Sequence, residues 1–251
     1  MASSMSWNKS PLRWSFLRML LGIKHLNSEW QVGDGREEAA ARFVLAHAPA
    51  GDIDAAITAI DEYAYKHSFL INVGDEKGAI LDNVIRRERP LRVLELGAYV
   101  GYSALRIARQ LPPGGKLFSV ELNPANADIA RRIVAHAGAA DRVTFVVGYL
   151  GDGETLKRMQ TEHGFGPGSL DVVFIDHAKD AYLPDLQRLL TAGWLHPGSV
   201  VVADNIRFPG APDYREYMQR QEGKQWRTLT HKTHVEYSIL PDVVLESTVL
   251  D

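Results

Sequence analysis

The sequence predicts an α/β fold: a mostly parallel sheet with helices on both faces. Three observations predict it. From Leu91 onward, short apolar runs alternate with stretches of helical spacing. Those runs are continuously apolar rather than alternating, which marks strands buried on both faces of a parallel sheet. The length, 251 residues, suits one generous domain of this class.

The strands are expected at 92–96, 116–122, 142–147, 170–176 and 199–205, with helices in the segments SALRIARQL, ANADIARRIVAHAG, GETLKRMQTEHG and YLPDLQRLLTAGWL between them. Three helices precede the sheet. EEAAARFVLAHA is stopped by Pro49 and Gly51. The next begins at Asp52, with an acidic first turn that suits the helix dipole and Ile53, Ala56, Ile57 and Ile60 on one face. The third covers 76–87, with Ile80, Val84 and Ile85 inward. Near the end, THVEYSIL and VVLESTVL read as antiparallel neighbours joined by a tight turn at Pro241-Asp242.

Residues 1–29 form a separate, basic amphipathic extension to a domain over 30–251. Lys9, Arg13, Arg18 and Lys24 are interleaved there with Trp14, Phe16, Leu17, Leu20 and Ile23. The segment is too short and too charged to span a bilayer, and Arg18 interrupts any signal-peptide core. It reads either as a helix lying peripherally on an anionic membrane or as one packed on the domain or on a second subunit. The expected location is cytoplasmic, with membrane association under the first reading, as a monomer or homodimer.

Net charge is −3, so no basic field argues for nucleic acid. The chain has no cysteine, which excludes disulfides, thiolate metal sites and cysteine nucleophiles.

Four signals carry chemistry. The first is a strand followed by a glycine turn, Gly97 to Gly101, opening a helix near Ser103. Ligands bind at such strand ends in parallel sheets. The spacing is G-x-x-x-G, neither a dinucleotide fingerprint nor a phosphate loop. Glu95 beside it suits a cationic ligand, such as the sulfonium and ammonium of S-adenosylmethionine. The second is Glu121, at the end of the next strand, where a carboxylate can accept both hydroxyls of a ribose. The third is Asp176 at one strand end and Asp204-Asn205 at another: three oxygen donors, two charged, that suit Mg²⁺. The fourth is Lys179, three residues after Asp176, whose pKa a close cation would depress, leaving an amine able to act as general base.

ELGAYVGYSALRIAR, VELNP, IDHAKDAYLPD, ADNIRFPGAPD, HVEYS and INVGDEKG resemble, in order and spacing, the signature segments of the catechol O-methyltransferase family. The resemblance runs from about Trp30 to the C-terminus. It implies a Rossmann-like, seven-stranded class I methyltransferase sheet with one antiparallel strand. It also implies methyl transfer from S-adenosylmethionine to one hydroxyl of a small catechol-type substrate, with Mg²⁺ held by Asp176, Asp204 and Asn205. Lys179 would be the general base, and Glu236 would hydrogen-bond the second hydroxyl. Val73, Glu95, Gly97, Tyr99, Ser103, Glu121, Asp176 and His177 would form the cofactor site, with Pro209 in the apolar wall facing the ring. Departures from the family pattern are Ala178 for a tryptophan, Leu150-Gly151 for a Ser-Gln pair at the adenine end, and Phe69 for a tryptophan.

The nearest alternatives are a metal-dependent O-methyltransferase acting on a caffeoyl-type thioester and an inactive binding protein on the same fold. A nicotinamide oxidoreductase would want G-x-G-x-x-G at 97–102, which is absent.

Overall fold

The structure, a computed structural model, describes residues 31–250 together with Trp14 and Leu17; the predicted extension at 1–29 otherwise lies outside the described residues. Over residues 31–90 three helices lead in: α1 (Arg36–His47), α2 (Ile53–Lys66) and α3 (Gly74–Glu88). Then strands and helices alternate: β1 (Arg92–Leu96), α4 (Tyr102–Gln110), β2 (Lys116–Glu121), α5 (Pro124–His136), β3 (Val143–Val147), α6 (Thr155–His163), β4 (Leu170–Ile175), α7 (Tyr182–Thr191) and β5 (Leu195–Ala203). A further helix, α8 (Pro212–Gln221), precedes β6 (Trp226–His234) and β7 (Pro241–Val249). Local chemistry sets the starts. Asp52 caps α2 by accepting from the Ala55 N–H at 2.9 Å, and Asn123 caps α5 with Pro124 at its first position.

The seven strands form one sheet in the order β3-β2-β1-β4-β5-β7-β6. β1 to β5 pair in parallel, and β7 runs antiparallel to both neighbours. Alternate residues of each central strand enter different cores. Val93, Leu117, Val172 and Val200 pack with α1 to α5, while Leu94, Phe118, Val173 and Val201 pack with α6, α7 and α8. This two-sided burial explains why the strands read as continuous apolar runs.

The C-terminal hairpin corrects one expectation. β6 runs from Trp226 to His234 and β7 begins at Pro241, so Pro241-Asp242 is strand rather than turn, and Val235–Leu240 is the connection. The Val235 N–H closes this loop on the Leu240 carbonyl at 2.7 Å, and Tyr237 adopts a left-handed backbone with φ 53°. Val235 and Tyr237 are buried because the loop folds back onto the helical layer, where Tyr65 and Phe69 meet the Tyr237 ring edge-on. Their apolar character belongs to that packing and not to a strand. α8 was not expected; it buries only Tyr214 and Met218, one turn apart, too thin a stripe to read as periodicity.

Candidate active site

Parallel pairing sets β4 and β5 side by side, with Ile175 opposite Ala203, so the next residues of each strand emerge together. Asp176 and Asp204 continue the ladder: the Asp176 N–H donates to the Leu96 carbonyl at 2.9 Å, and the Asp204 N–H to the Ile175 carbonyl at 3.1 Å. Asn205 then turns left-handed, with φ 53°. Lys179 Nζ donates to Asp176 Oδ1 at 3.0 Å, to Asn205 Oδ1 at 3.1 Å and to the Tyr182 hydroxyl at 2.6 Å. One cation therefore already touches two of the three predicted metal ligands at once. Asn205 Nδ2 faces Glu236 Oε2 at 3.4 Å, which brings the predicted orienting carboxylate into the same cluster.

A second lysine, absent from the sequence reading, closes the cluster from beneath. Lys77 Nζ lies 2.8 Å from Asp204 Oδ2, 3.0 Å from Glu236 Oε2 and 3.2 Å from Asp242 Oδ2. Burial opposes its charge, but Asp204, Glu236 and Asp242 outweigh that and raise its pKa. Burial pushes the Asp204 carboxyl up to about 7, against the pull of Lys77. Burial raises Asp176 as well, against Lys179 and Lys77. Asp242 also accepts from Asn205 Nδ2 at 3.0 Å and from the Arg207 and Phe208 N–H groups at 3.2 and 3.0 Å. It thereby fixes the loop after Asn205. Gly74 admits this arrangement: a Cβ there would stand 2.9 Å from Glu236 Cβ.

The donor chemistry fits a hard divalent cation. Asp176 Oδ1 and Asn205 Oδ1 share the Lys179 ammonium, and Asp204 Oδ2 accepts no well-aligned hydrogen bond despite the nearness of Lys77. Among the described residues no three His, Cys, Asp or Glu side chains gather as a metal site; the candidate set is two aspartates and the Asn205 amide, all oxygen donors.

The glycine turn lies at the end of β1. Gly97 has φ 98°, and a Cβ there would meet the Asp176 carbonyl oxygen at 2.6 Å. The turn can thus lie against the end of β4 only without a side chain. Glu121 Oε2 accepts from the Ala98 and Tyr99 N–H groups at 3.0 and 2.9 Å, and Oε1 accepts from the Asn123 N–H at 2.8 Å. Burial raises its pKa against these donors. Ser103 lies at the first turn of α4, and Tyr99 donates through its hydroxyl to Glu37 at 2.8 Å. His177 stacks on Tyr182, and its Nε2 lies 2.8 Å from Asp185 Oδ2.

A cavity of about 850 Å³ joins the two halves. Gly97, Tyr99, Ser103, Glu121 and His177 line it, as do Asp176, Lys179, Asn205 and Glu236, and Phe69, Phe208 and Pro209 supply apolar wall. Three predicted residues do not line it. Val73 is buried at the start of α3, and Asp204 is turned toward Lys77. Glu95 stands wholly buried behind the wall, hydrogen-bonded by Ser119, and burial pushes its pKa up to about 7. Ser103 and Ser119 hydrogen-bond its carboxyl, which does not line the cavity.

Residues 51–241 match the model of a family described as O-methyltransferase. The chain is 59% identical to a probable O-methyltransferase of Mycobacterium tuberculosis, over 92% of this chain and 100% of that one. It is 43% identical to catechol O-methyltransferase B of Danio rerio, over 86% of this chain and 79% of that one. Among solved structures, the O-methyltransferase TomG of Streptomyces achromogenes, in complex with SAM, superposes with a TM-score of 0.63 at 20% identity, covering 96% of this chain and 100% of that one. At that identity the last likeness speaks to fold alone.

Proposed function

This chain belongs to the O-methyltransferase family, and on that footing we propose that it transfers a methyl group from S-adenosylmethionine to one hydroxyl of a catechol-type aromatic, with a divalent cation such as Mg²⁺. The observation that carries the reading is the convergence of Asp176, Lys179, Asn205 and Glu236 on one end of the cavity, with Glu121 and the glycine turn at the other. The 43% identity to a catechol O-methyltransferase supports it.

Gly97, Tyr99, Ser103, Glu121 and His177 would hold S-adenosylmethionine, which supplies an electrophilic methyl group. Asp176, Asp204 and Asn205 would hold the cation, which supplies the charge that lowers the pKa of a phenolic hydroxyl from about 10. Lys179 Nζ, beside Asp176, accepts the proton of the hydroxyl to be methylated. Glu236 accepts a hydrogen bond from the neighbouring hydroxyl and so sets which oxygen faces the methyl group. Phe69, Phe208 and Pro209 exclude water around the ring. The hydroxyl oxygen, relieved of its proton by Lys179, would be held in line with the methyl–sulfur bond. The oxygen–carbon bond would then form as the carbon–sulfur bond breaks and S-adenosylhomocysteine leaves, with no covalent enzyme intermediate. Most of the acceleration would come from alignment.

The test is transfer of labelled methyl from S-adenosylmethionine to catechol and to phenol. Methylation of catechol with phenol untouched is the expected result. Equal rates on both would remove the role given to the second hydroxyl and to Glu236.

A further inference from the structure

We propose that Arg188 recognises the adenine of the bound cofactor, at the end of the cavity away from the acidic cluster; this rests on the S-adenosylmethionine reading above. Glu121, at the end of β2, is the carboxylate suited to the ribose, so the base extends toward the neighbouring strand β3, on the side of the sheet opposite β4 and β5. On that side Leu122, Tyr149, Leu150 and Gly151 line the cavity, with Ala178 of the loop after β4 facing the same space, and none of these side chains is charged or an amide. Asn126, an amide in the same lining, is hydrogen-bonded to Glu121 and Gln31.

Arg188 reaches this wall from α7. Its Nη1 donates to Asp185 Oδ1 at 2.6 Å, and the other oxygen of that buried carboxylate is held by His177 at 2.8 Å. One arm of the guanidinium is thereby fixed. The other arm, Nη2, makes no hydrogen bond within the described residues and would lie 3.2 Å from a Cβ placed on Gly151. The guanidinium carbon would lie 3.4 Å from the same Cβ, so a side chain at 151 would crowd the guanidinium, and glycine there leaves it room. Among the described residues Arg188 is the one arginine in the cavity lining, and the one lysine there, Lys179, is engaged with Asp176 and Asn205. A purine offers ring nitrogens that accept hydrogen bonds and a flat π face. A guanidinium held by one arm can serve either, and a lysine cannot reproduce the plane.

The experiment is calorimetric titration of S-adenosylhomocysteine and of adenosine into the wild type, Arg188→Ala and Arg188→Lys. Arg188→Ala should weaken both ligands by the same factor, about tenfold, because the contact is to the base they share. Arg188→Lys should recover little of it. An Arg188→Ala protein binding S-adenosylhomocysteine within twofold of wild type would overturn the proposal. So would full recovery with lysine, which would mean that Arg188 acts only by holding Asp185. A wild type that binds neither ligand would instead remove the cofactor reading on which the proposal stands.

Discussion

Lys77 Nζ and Asp204 Oδ2 lie 2.8 Å apart with both side chains withdrawn from solvent, and this pair joins the helical layer to the end of the sheet. The lysine balances Asp204, Glu236 and Asp242 together. Removing one partner of a buried ion pair leaves uncompensated charge, a larger loss than the pair's own net contribution.

Lys77→Met is accordingly expected to destabilise the protein by about 3–5 kcal/mol at neutral pH. Chemical denaturation checks it. Acidification should lessen the defect, since protonating the orphaned carboxylates removes the unbalanced charge.

Glu95 predicts a pH dependence of stability. Its pKa is raised from an ordinary 4.5 to about 7 by burial. The folded state thus binds the proton more tightly than the unfolded chain, and the associated stability is present below about pH 4.5 and lost as pH rises toward 7. Denaturation at pH 5 and pH 8 should show a decline that is smaller, by up to about 3 kcal/mol, in Glu95→Gln. An identical decline in the variant would show that this carboxyl does not carry it.

Gly97→Ala would force a methyl group to within 2.6 Å of the Asp176 carbonyl oxygen at a left-handed φ. The expected loss is about 1–3 kcal/mol of stability, together with weaker binding of S-adenosylhomocysteine. Thermal melts and titration read the two effects separately.

Lys179→Met should lower kcat by about 10²–10⁴-fold, the usual worth of a positioned acid or base, while the cofactor dissociation constant stays near the wild-type value. Single-turnover methyl transfer measures this directly. A variant with unchanged kcat would remove Lys179 as the base.

The strand ends were legible because continuous apolar runs fix where each parallel strand stops, and Asp176 and Asp204-Asn205 sit just past two of them. Lys179 followed by proximity in sequence. Lys77 and Asp242 were not, because their partners are remote: Lys77 meets Glu236 across 159 residues and Asp242 across 165. A signal was present. Lys77 falls on the same helical face as Leu81, Val84 and Ile85, so a cation lay on the buried stripe of α3 and required acids from elsewhere. Asp242 was misread because Pro-Asp is a common turn pair, whereas here the proline opens an inner strand. Glu95 was placed on the correct strand end but on the wrong side of the cavity wall. Spacing alone does not say that Ser103 and Ser119 stand around it.

The most direct test of the account is the metal dependence of methyl transfer to catechol by chelator-treated protein titrated with Mg²⁺, with Asp176→Ala in parallel. Activity that returns with Mg²⁺ in the wild type and stays absent in Asp176→Ala is the predicted result. Full turnover by the wild type in chelator, or equal response of the variant to Mg²⁺, would contradict the assignment of Asp176, Asp204 and Asn205 as the metal site.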